Sequence, residues 1–440
     1  MIPEGQGIKI NPTKALSSNF PDSESAFLSD SEFQPGVKSC PKVRIFELVL
    51  SGILFFLFSI CLFLAPGEFM DRFLPGLFAL PGFTPPSTSR SSPESSFASR
   101  KLPTPATVIV DSLKRKVVLP SRVTRLISLQ PEITRIVVAL GAGQTLLGID
   151  RFLRFEDHYF SLILPLASGL PLIALSDESV NAEVILRFRP ELVFTSPSDP
   201  ALTENLSRKL SIPVVALSSL GRFDLLFEEI EVVGRVLGRE ARARELLRYF
   251  EEKLIEVKTM LAAAGRRERP RVYLAFWSSL VMTPVNYDPV SLAGGQNLAE
   301  GLLPSYLGTA RTVVSPEQIL EWNPEIILIH GSYPPADRQL TREQVLKDRR
   351  LASAEAVKRG QVFYTFGFWY WWDPAEALFE VYYLVALFYP ELRPKLDLEK
   401  EGEEIFTKFY GSPAAFHRLL QVLEIELPLE KEAKSDGNEK

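Results

Sequence analysis

Three hydropathy regimes follow one another along the 440 residues. The first is an unbroken apolar run, residues 48–65 (LVLSGILFFLFSICLFLA), which carries no charged side chain. As a helix it spans about 27 Å, close to the hydrocarbon thickness of a bilayer. Lys38, Lys42 and Arg44 precede it, and Glu68, Asp71 and Arg72 follow. The positive-inside bias therefore predicts a disordered cytoplasmic tail over residues 1–43 and an extracytoplasmic chain after Pro66. Segment 44–66 is read as a transmembrane anchor or a signal segment. The tail ahead of it is long for a signal peptide, which favours the anchor. Cys61 follows the bulky Ile60, where a lipoprotein signal needs a small residue, so it is read as facing the membrane core.

The second regime, residues 67–106, has no hydrophobic period. Its later part (PGFTPPSTSRSSPESSFASRKLPTPA) is rich in Pro, Ser and Thr. Such a stretch buries too little apolar surface to offset its ordering entropy, and it reads as a flexible linker.

From about residue 107 strand and helix signals alternate. Residues 108–110 and 116–119 suit a hairpin, and VTRLISL (123–129) reads as a strand. Pro131 then opens a helix that ends before Gly141. LVFT (192–195) and PVVAL (213–217) are further strands, so parallel βαβ units are expected. An internal repeat sharpens this. NAEVILRFRPELVFT (181–195) aligns with SPEQILEWNPEIILI (315–329), matching Glu183 to Glu317, Pro190 to Pro324 and Glu191 to Glu325. Each copy is a short helix stopped near a proline and feeding a buried strand. The fold class is therefore α/β, with two Rossmann-like lobes joined by one long α-helix and preceded by a single N-terminal transmembrane helix. The lobes are expected at 107–221 and 270–425, the latter with its repeat-bearing part at 270–395. A helical region at 222–269 links them, and a charged tail covers 426–440. In the linking region Leu246, Phe250, Leu254, Val257 and Leu261 recur at helical spacing. One crossing helix resists hinge bending, so small lobe motions are expected.

Composition narrows the chemistry. Hydrophobic residues form 46% and charged residues 23% of the chain, which argues against wholesale disorder. A net charge of −5 gives no basic excess for nucleic acid. Both cysteines, Cys40 and Cys61, precede the folded region, and His158, His330 and His417 lie far apart. A disulfide scaffold, a cysteine zinc site and HExxH chemistry are thereby excluded there. No GxSxG elbow, Walker loop or GxGxxG after a strand is present, so no catalytic residue and no resident cofactor is assigned.

Several motifs in order (VTRLISLQPEITRIVVALGAGQTLLGID, VNAEVILRFRPELVF, ERPRVYLAFW, SLAGGQNLAEGLLPS, VSPEQILEWNPEIILI, AEAVKRGQVFYTF) resemble the class III, helical-backbone substrate-binding proteins of ABC importers. The resemblance covers residues 117–389. It implies a non-enzymatic receptor that hands an iron complex (siderophore or haem) or a corrinoid to a permease dimer. It also implies that Glu183 and Glu317, one per lobe, dock into permease arginines. A carboxylate at a helix N-terminus also complements the helix dipole, and both roles are compatible.

Ligands of open α/β sheets sit beyond the carboxyl ends of the strands. That rule selects Gln130, Arg151, Phe152, Ser196, Trp277, His330 and Tyr333, together with Trp369, Tyr370, Trp371 and Trp372 from the run FGFWYWWD. Aromatic faces suit a macrocycle or aromatic chelate. Arg151 is a candidate partner for a ligand carboxylate, and equally a surface charge. His330 is more often a satisfied polar residue than a metal ligand. Many siderophore binders of this class carry an arginine just before the last helix, where Trp372, Asp373, Pro374 and Ala375 stand here. Molybdate or tungstate is the alternative cargo, and a membrane-anchored ligand sensor the alternative role. An oxyanion site would draw on backbone amides and small polar side chains.

Overall fold

Two separate parallel sheets organise the chain. The computed structural model describes residues 107–428, except residue 158 and residues 174–179, 266–267, 277–278, 306–308, 332–333 and 367–371. The expected membrane segment, the linker, the N-terminal tail and the C-terminal tail beyond residue 428 fall outside these residues. Among the described residues no helix is long and apolar enough to cross a membrane.

In the first half β1 (Thr107–Val110) and β2 (Lys116–Leu119) form an antiparallel hairpin. β3 (Leu126–Ser128), β4 (Leu192–Thr195) and β5 (Val214–Ala216) make a parallel sheet in that order. Around them run α1 (Pro131–Ala139), α2 (Arg151–Phe155), α3 (Phe160–Ile163), α4 (Ala182–Arg187) and α5 (Pro200–Lys209). The hairpin turn covers the open edge of β5. Asp111 accepts from the Ala216 amide at 3.2 Å and pairs with Arg115 at 2.6 Å, while Arg115 donates to the Val214 carbonyl. Edge donors and acceptors are thereby taken up.

α6 (Phe223–Val236) and α7 (Glu240–Ala263) carry the chain onward, separated by Gly238 at φ +63°. The linking region is thus two helices, of which the second is the long one. Leu246, Phe250 and Val257 are its buried face, as the spacing predicted.

The second half contains β6 (Arg271–Ala275), β7 (Met282–Pro284), α8 (Asp288–Leu292), β8 (Gln296–Asn297), β9 (Arg311–Val313), α9 (Pro316–Trp322), β10 (Ile326–His330), α10 (Arg342–Lys347), α11 (Glu355–Lys358) and β11 (Val362–Thr365). Its parallel sheet has the order β11-β10-β6-β8, with β7 and β9 paired antiparallel beside it. α12 (Pro374–Phe388), α13 (Leu398–Tyr410) and α14 (Ala414–Leu423) follow. α12 is buried on every side, which places it centrally between other elements.

The sequence repeat is a structural repeat down to its hydrogen bonds. Asn181 and Ser315 cap α4 and α9 through their side chains. Arg189 and Asn323, at matching positions, both adopt left-handed backbone (φ +48° and +45°). Their carbonyls accept from the side chains of Arg125 and Arg271. Glu191 and Glu325 then accept the Arg125 and Arg271 amides at 3.1 and 2.8 Å. This also explains why the first strand is shorter than residues 123–129. Glu191 takes the amides of Thr124 and Arg125, leaving only 126–128 to pair in the sheet.

Strand residues alternate between two cores. Leu126, Phe194 and Val215 join Leu274, Leu328 and α12 in one core shared by both halves. Ile127, Val193 and Val214 face a smaller cluster with α4 and α5, and Ile327 and Ile329 face its counterpart in the second half. The C-terminal helices strengthen the union. Arg242 on α7 bonds the Ala139 carbonyl at 3.2 Å and also the Lys408 carbonyl, and Tyr159 packs edge-on against Phe406 at 5.7 Å. The halves are therefore joined by α13 and α14 as well as by the long helix.

Candidate functional site

The carboxyl ends of the two sheets present small polar side chains. After β3, Ser128 donates to the Gln130 carbonyl at 2.8 Å, and the Gln130 side-chain amide reaches the Leu217 carbonyl at 3.3 Å. After β4, Thr195 and Thr203 share a hydrogen bond of 2.9 Å, and Ser196 and Ser198 one of 2.8 Å. After β5 come Ser218 and Ser219, both buried. Among the described residues the Ser218 hydroxyl and the Gln130 side-chain oxygen are buried without a hydrogen-bond partner.

In the second half His330 ends β10, is 5% exposed, and packs against Phe276 at 5.0 Å. Burial drives its imidazole down to about 3, so it is neutral at physiological pH. The Phe366 amide after β11 donates to Glu380 at 2.8 Å.

Arg151 is exposed and pairs with Glu156, with Phe155 5.9 Å beneath its guanidinium. Phe152, beside it, lies under the guanidinium of Arg135 at 5.7 Å. Trp277, Tyr333, Trp369, Tyr370 and Trp371 lie outside the described residues. Trp372 has no exposed surface. It packs edge-on to Phe223, at the start of the linking helices, at 5.2 Å and to Tyr287 of the second half at 5.9 Å. Its place here is in the shared core, away from the strand-end position expected of a ligand contact. Glu183 and Glu317 are exposed, each the second residue of its repeat helix.

A buried ionic network behind Trp372 has no counterpart in the sequence reading. Asp373 caps α12 through the Ala375 and Glu376 amides, at 2.7 and 3.1 Å, and accepts from the Tyr410 hydroxyl at 2.5 Å. Arg135 on α1 stands 3.8 Å from Asp373 and is bonded to Asp157. Burial works against the Arg135 charge, yet Asp157, Tyr159, Asp373 and Glu376 together raise it well above its ordinary range. Burial, then the neighbouring Asp373, pushes the Glu376 carboxyl well above the usual range. Asp150, which caps α2, rises to about 6, chiefly through burial. The only signal of this network in sequence was Asp373 immediately before Pro374, a capping pattern.

Two parallel α/β sheets with a long intervening helix, and strand ends rich in neutral hydrogen-bonding groups, define a solute-binding class of fold. The profile of the periplasmic binding protein family matches residues 126–366, and the chain belongs to that family as a class III substrate-binding protein. It is 27% identical over 332 residues to the molybdate-binding protein MolA of Haemophilus influenzae, covering 69% of this chain and 90% of that protein. It is 24% identical over 243 residues to a vitamin B12-binding protein of Yersinia pestis, covering 54% and 79%. Among solved structures, molybdate-bound MolA superposes with a TM-score of 0.57 at 24% identity, over 70% of this chain and 98% of that one. Helicobacter pylori CeuE in a complex with Ni-His gives 0.56 at 17% identity, over 71% and 98%.

Proposed function

We propose that this chain is the extracytoplasmic receptor of an ABC importer and that its cargo is an oxyanion of the molybdate and tungstate class. The observation that carries this reading is the neutral, hydroxyl- and amide-rich chemistry at the described strand ends: Gln130, Ser196, Ser218 and an uncharged His330. Neutral dipoles aimed at one point bind oxyanions without a salt bridge. Likeness to MolA over most of that protein's length supports the same cargo.

A second reading keeps an iron complex, haem or corrinoid as cargo. The aromatic run 366–373 and the likeness to a vitamin B12-binding protein favour it. Under either reading Glu183 and Glu317 dock on the two permease subunits, residues 48–65 tether the domain to the membrane, and no reaction is catalysed.

Isothermal titration of the purified chain with molybdate, tungstate, sulfate, cobalamin, haem and a ferric siderophore separates the readings. Saturable 1:1 binding of molybdate and tungstate alone supports the oxyanion. Binding of a chelate with none of molybdate overturns it in favour of the second reading.

A further inference from the structure

Beneath the end of β5 lies a buried polar cluster distinct from the groups proposed for the cargo. Glu132, in the first turn of α1, and Glu229, on α6, are 0% and 3% exposed. Both carboxyl oxygens of Glu229 and one of Glu132 have no hydrogen-bond donor among the described residues, and the two helices that carry them pack against each other. The Ser219 hydroxyl donates to Glu132, and the Ser219 amide faces the same carboxyl. Among the described residues the other charged groups facing the pair are Arg135, on the same helix as Glu132, and Glu228 on α6. Arg135 is already engaged by Asp157 and Asp373. Two neighbouring carboxyls buried in a low-dielectric interior, with three oxygens lacking a donor among the described residues, do not both stay ionised. Burial is the largest influence on both. It raises Glu132 to about 8, and burial together with Glu132 holds Glu229 well above the usual range.

Ser219 is also the first residue of the junction between the halves. Leu220 and Gly221 follow it in left-handed backbone, φ +51° and +79°. For a leucine that conformation is strained and persists only where the surroundings hold it. On the far side the Gly221 carbonyl accepts from the Asp288 amide at 2.9 Å, and the Phe223 amide donates to Asp288 at 2.7 Å. The acid pair therefore grips one end of a strained segment whose other end is bonded to the second half.

We propose that Glu132 and Glu229 form a buried proton-binding site that, when loaded, locks the junction at residues 219–223. The step is a plain acid dissociation: the carboxyl O–H bond breaks, the proton passes to water, and the charge stays on the glutamate. Opening the junction admits water, restores an ordinary acidity to the pair and so releases a proton. Each pH unit between the ordinary glutamate range and about 8 thus favours opening by at least about tenfold, one decade for each proton released.

The test uses the intact chain without cargo, so its outcome is independent of which solute is carried. Amide hydrogen exchange at residues 219–223, corrected for intrinsic rates, is followed from pH 5 to 8 in the wild type and in the E132Q/E229Q variant. Protection is expected to fall at least about tenfold per pH unit in the wild type and to stay flat in the variant. Infrared difference spectra of the wild type against the E132Q/E229Q variant are expected to show a protonated-carboxyl band at pH 7 that weakens as pH rises through about 8. Equal pH profiles for the two proteins overturn the lock. Absence of the band at pH 7, with protection raised by added calcium or sodium, replaces the proton site with a cation site and overturns the proposal.

Discussion

Arg135 on α1 and Asp373 at the N-cap of α12 stand 3.8 Å apart, joining an element of the first half to one of the second. Both are buried, and the same arginine holds Asp157. Removing one partner of a buried pair leaves the others uncompensated, which costs about 3–5 kcal/mol. Arg135→Met is expected to lose about that much in urea unfolding. Arg135→Lys, which keeps the charge but not the planar fork, is expected to fall in between. A loss under 1 kcal/mol for Arg135→Met would show that the network carries no stability.

Trp372 joins the second half to the linking helices through packing. It lies between Phe223 and Tyr287 with no exposed surface. Trp372→Ala is expected to cost about 3–5 kcal/mol through lost contacts and the cavity left behind, and Trp372→Phe distinctly less. Thermal unfolding of the two variants checks the order.

Two buried groups give stability opposite pH slopes. The pKa of Asp150 is raised from 3.8 to about 6, so its contribution is present at low pH and lost as pH rises through that window. At about 1.4 kcal/mol per unit, Asp150→Asn should gain on the wild type by about 2–3 kcal/mol between pH 4 and 7. The pKa of His330 is depressed from 6.5 to about 3, so its contribution is present above 6.5 and lost as pH falls toward 3. His330→Gln should flatten that acid limb. Urea midpoints across pH for both variants test the signs separately.

Glu183 and Glu317 occupy equivalent exposed positions in the structural repeat. Reversing both charges is expected to abolish uptake in cells and to leave cargo affinity in solution unchanged. Uptake that survives the double reversal would remove them from permease docking.

The repeat, the strand pairs and the buried face of the long helix were legible because they depend on local period and capping. Asn181 and Ser315 announce their helices, and Leu246, Phe250 and Val257 announce their stripe. What escaped depends on contacts distant in sequence. Glu132 reads as an ordinary first-turn acid until Glu229 arrives from another helix. Arg135 looks like a solvated charge until Asp157 and Asp373 close on it. The sequence also did not foretell that α13 and α14 return to the first half, because their amphipathic stripes do not name a partner. Trp372 shows the limit of composition: a cluster of aromatics marks burial as readily as binding, and only the side chain's facing decides.

Anomalous diffraction at the molybdenum edge, from crystals of the chain grown with molybdate, tests the central claim most directly. The account predicts one strong peak at the carboxyl ends of the two sheets, within hydrogen-bonding reach of the segments that carry Gln130, Ser196 or Ser218. No peak there, or a peak only on the outer surface of either half, would contradict it.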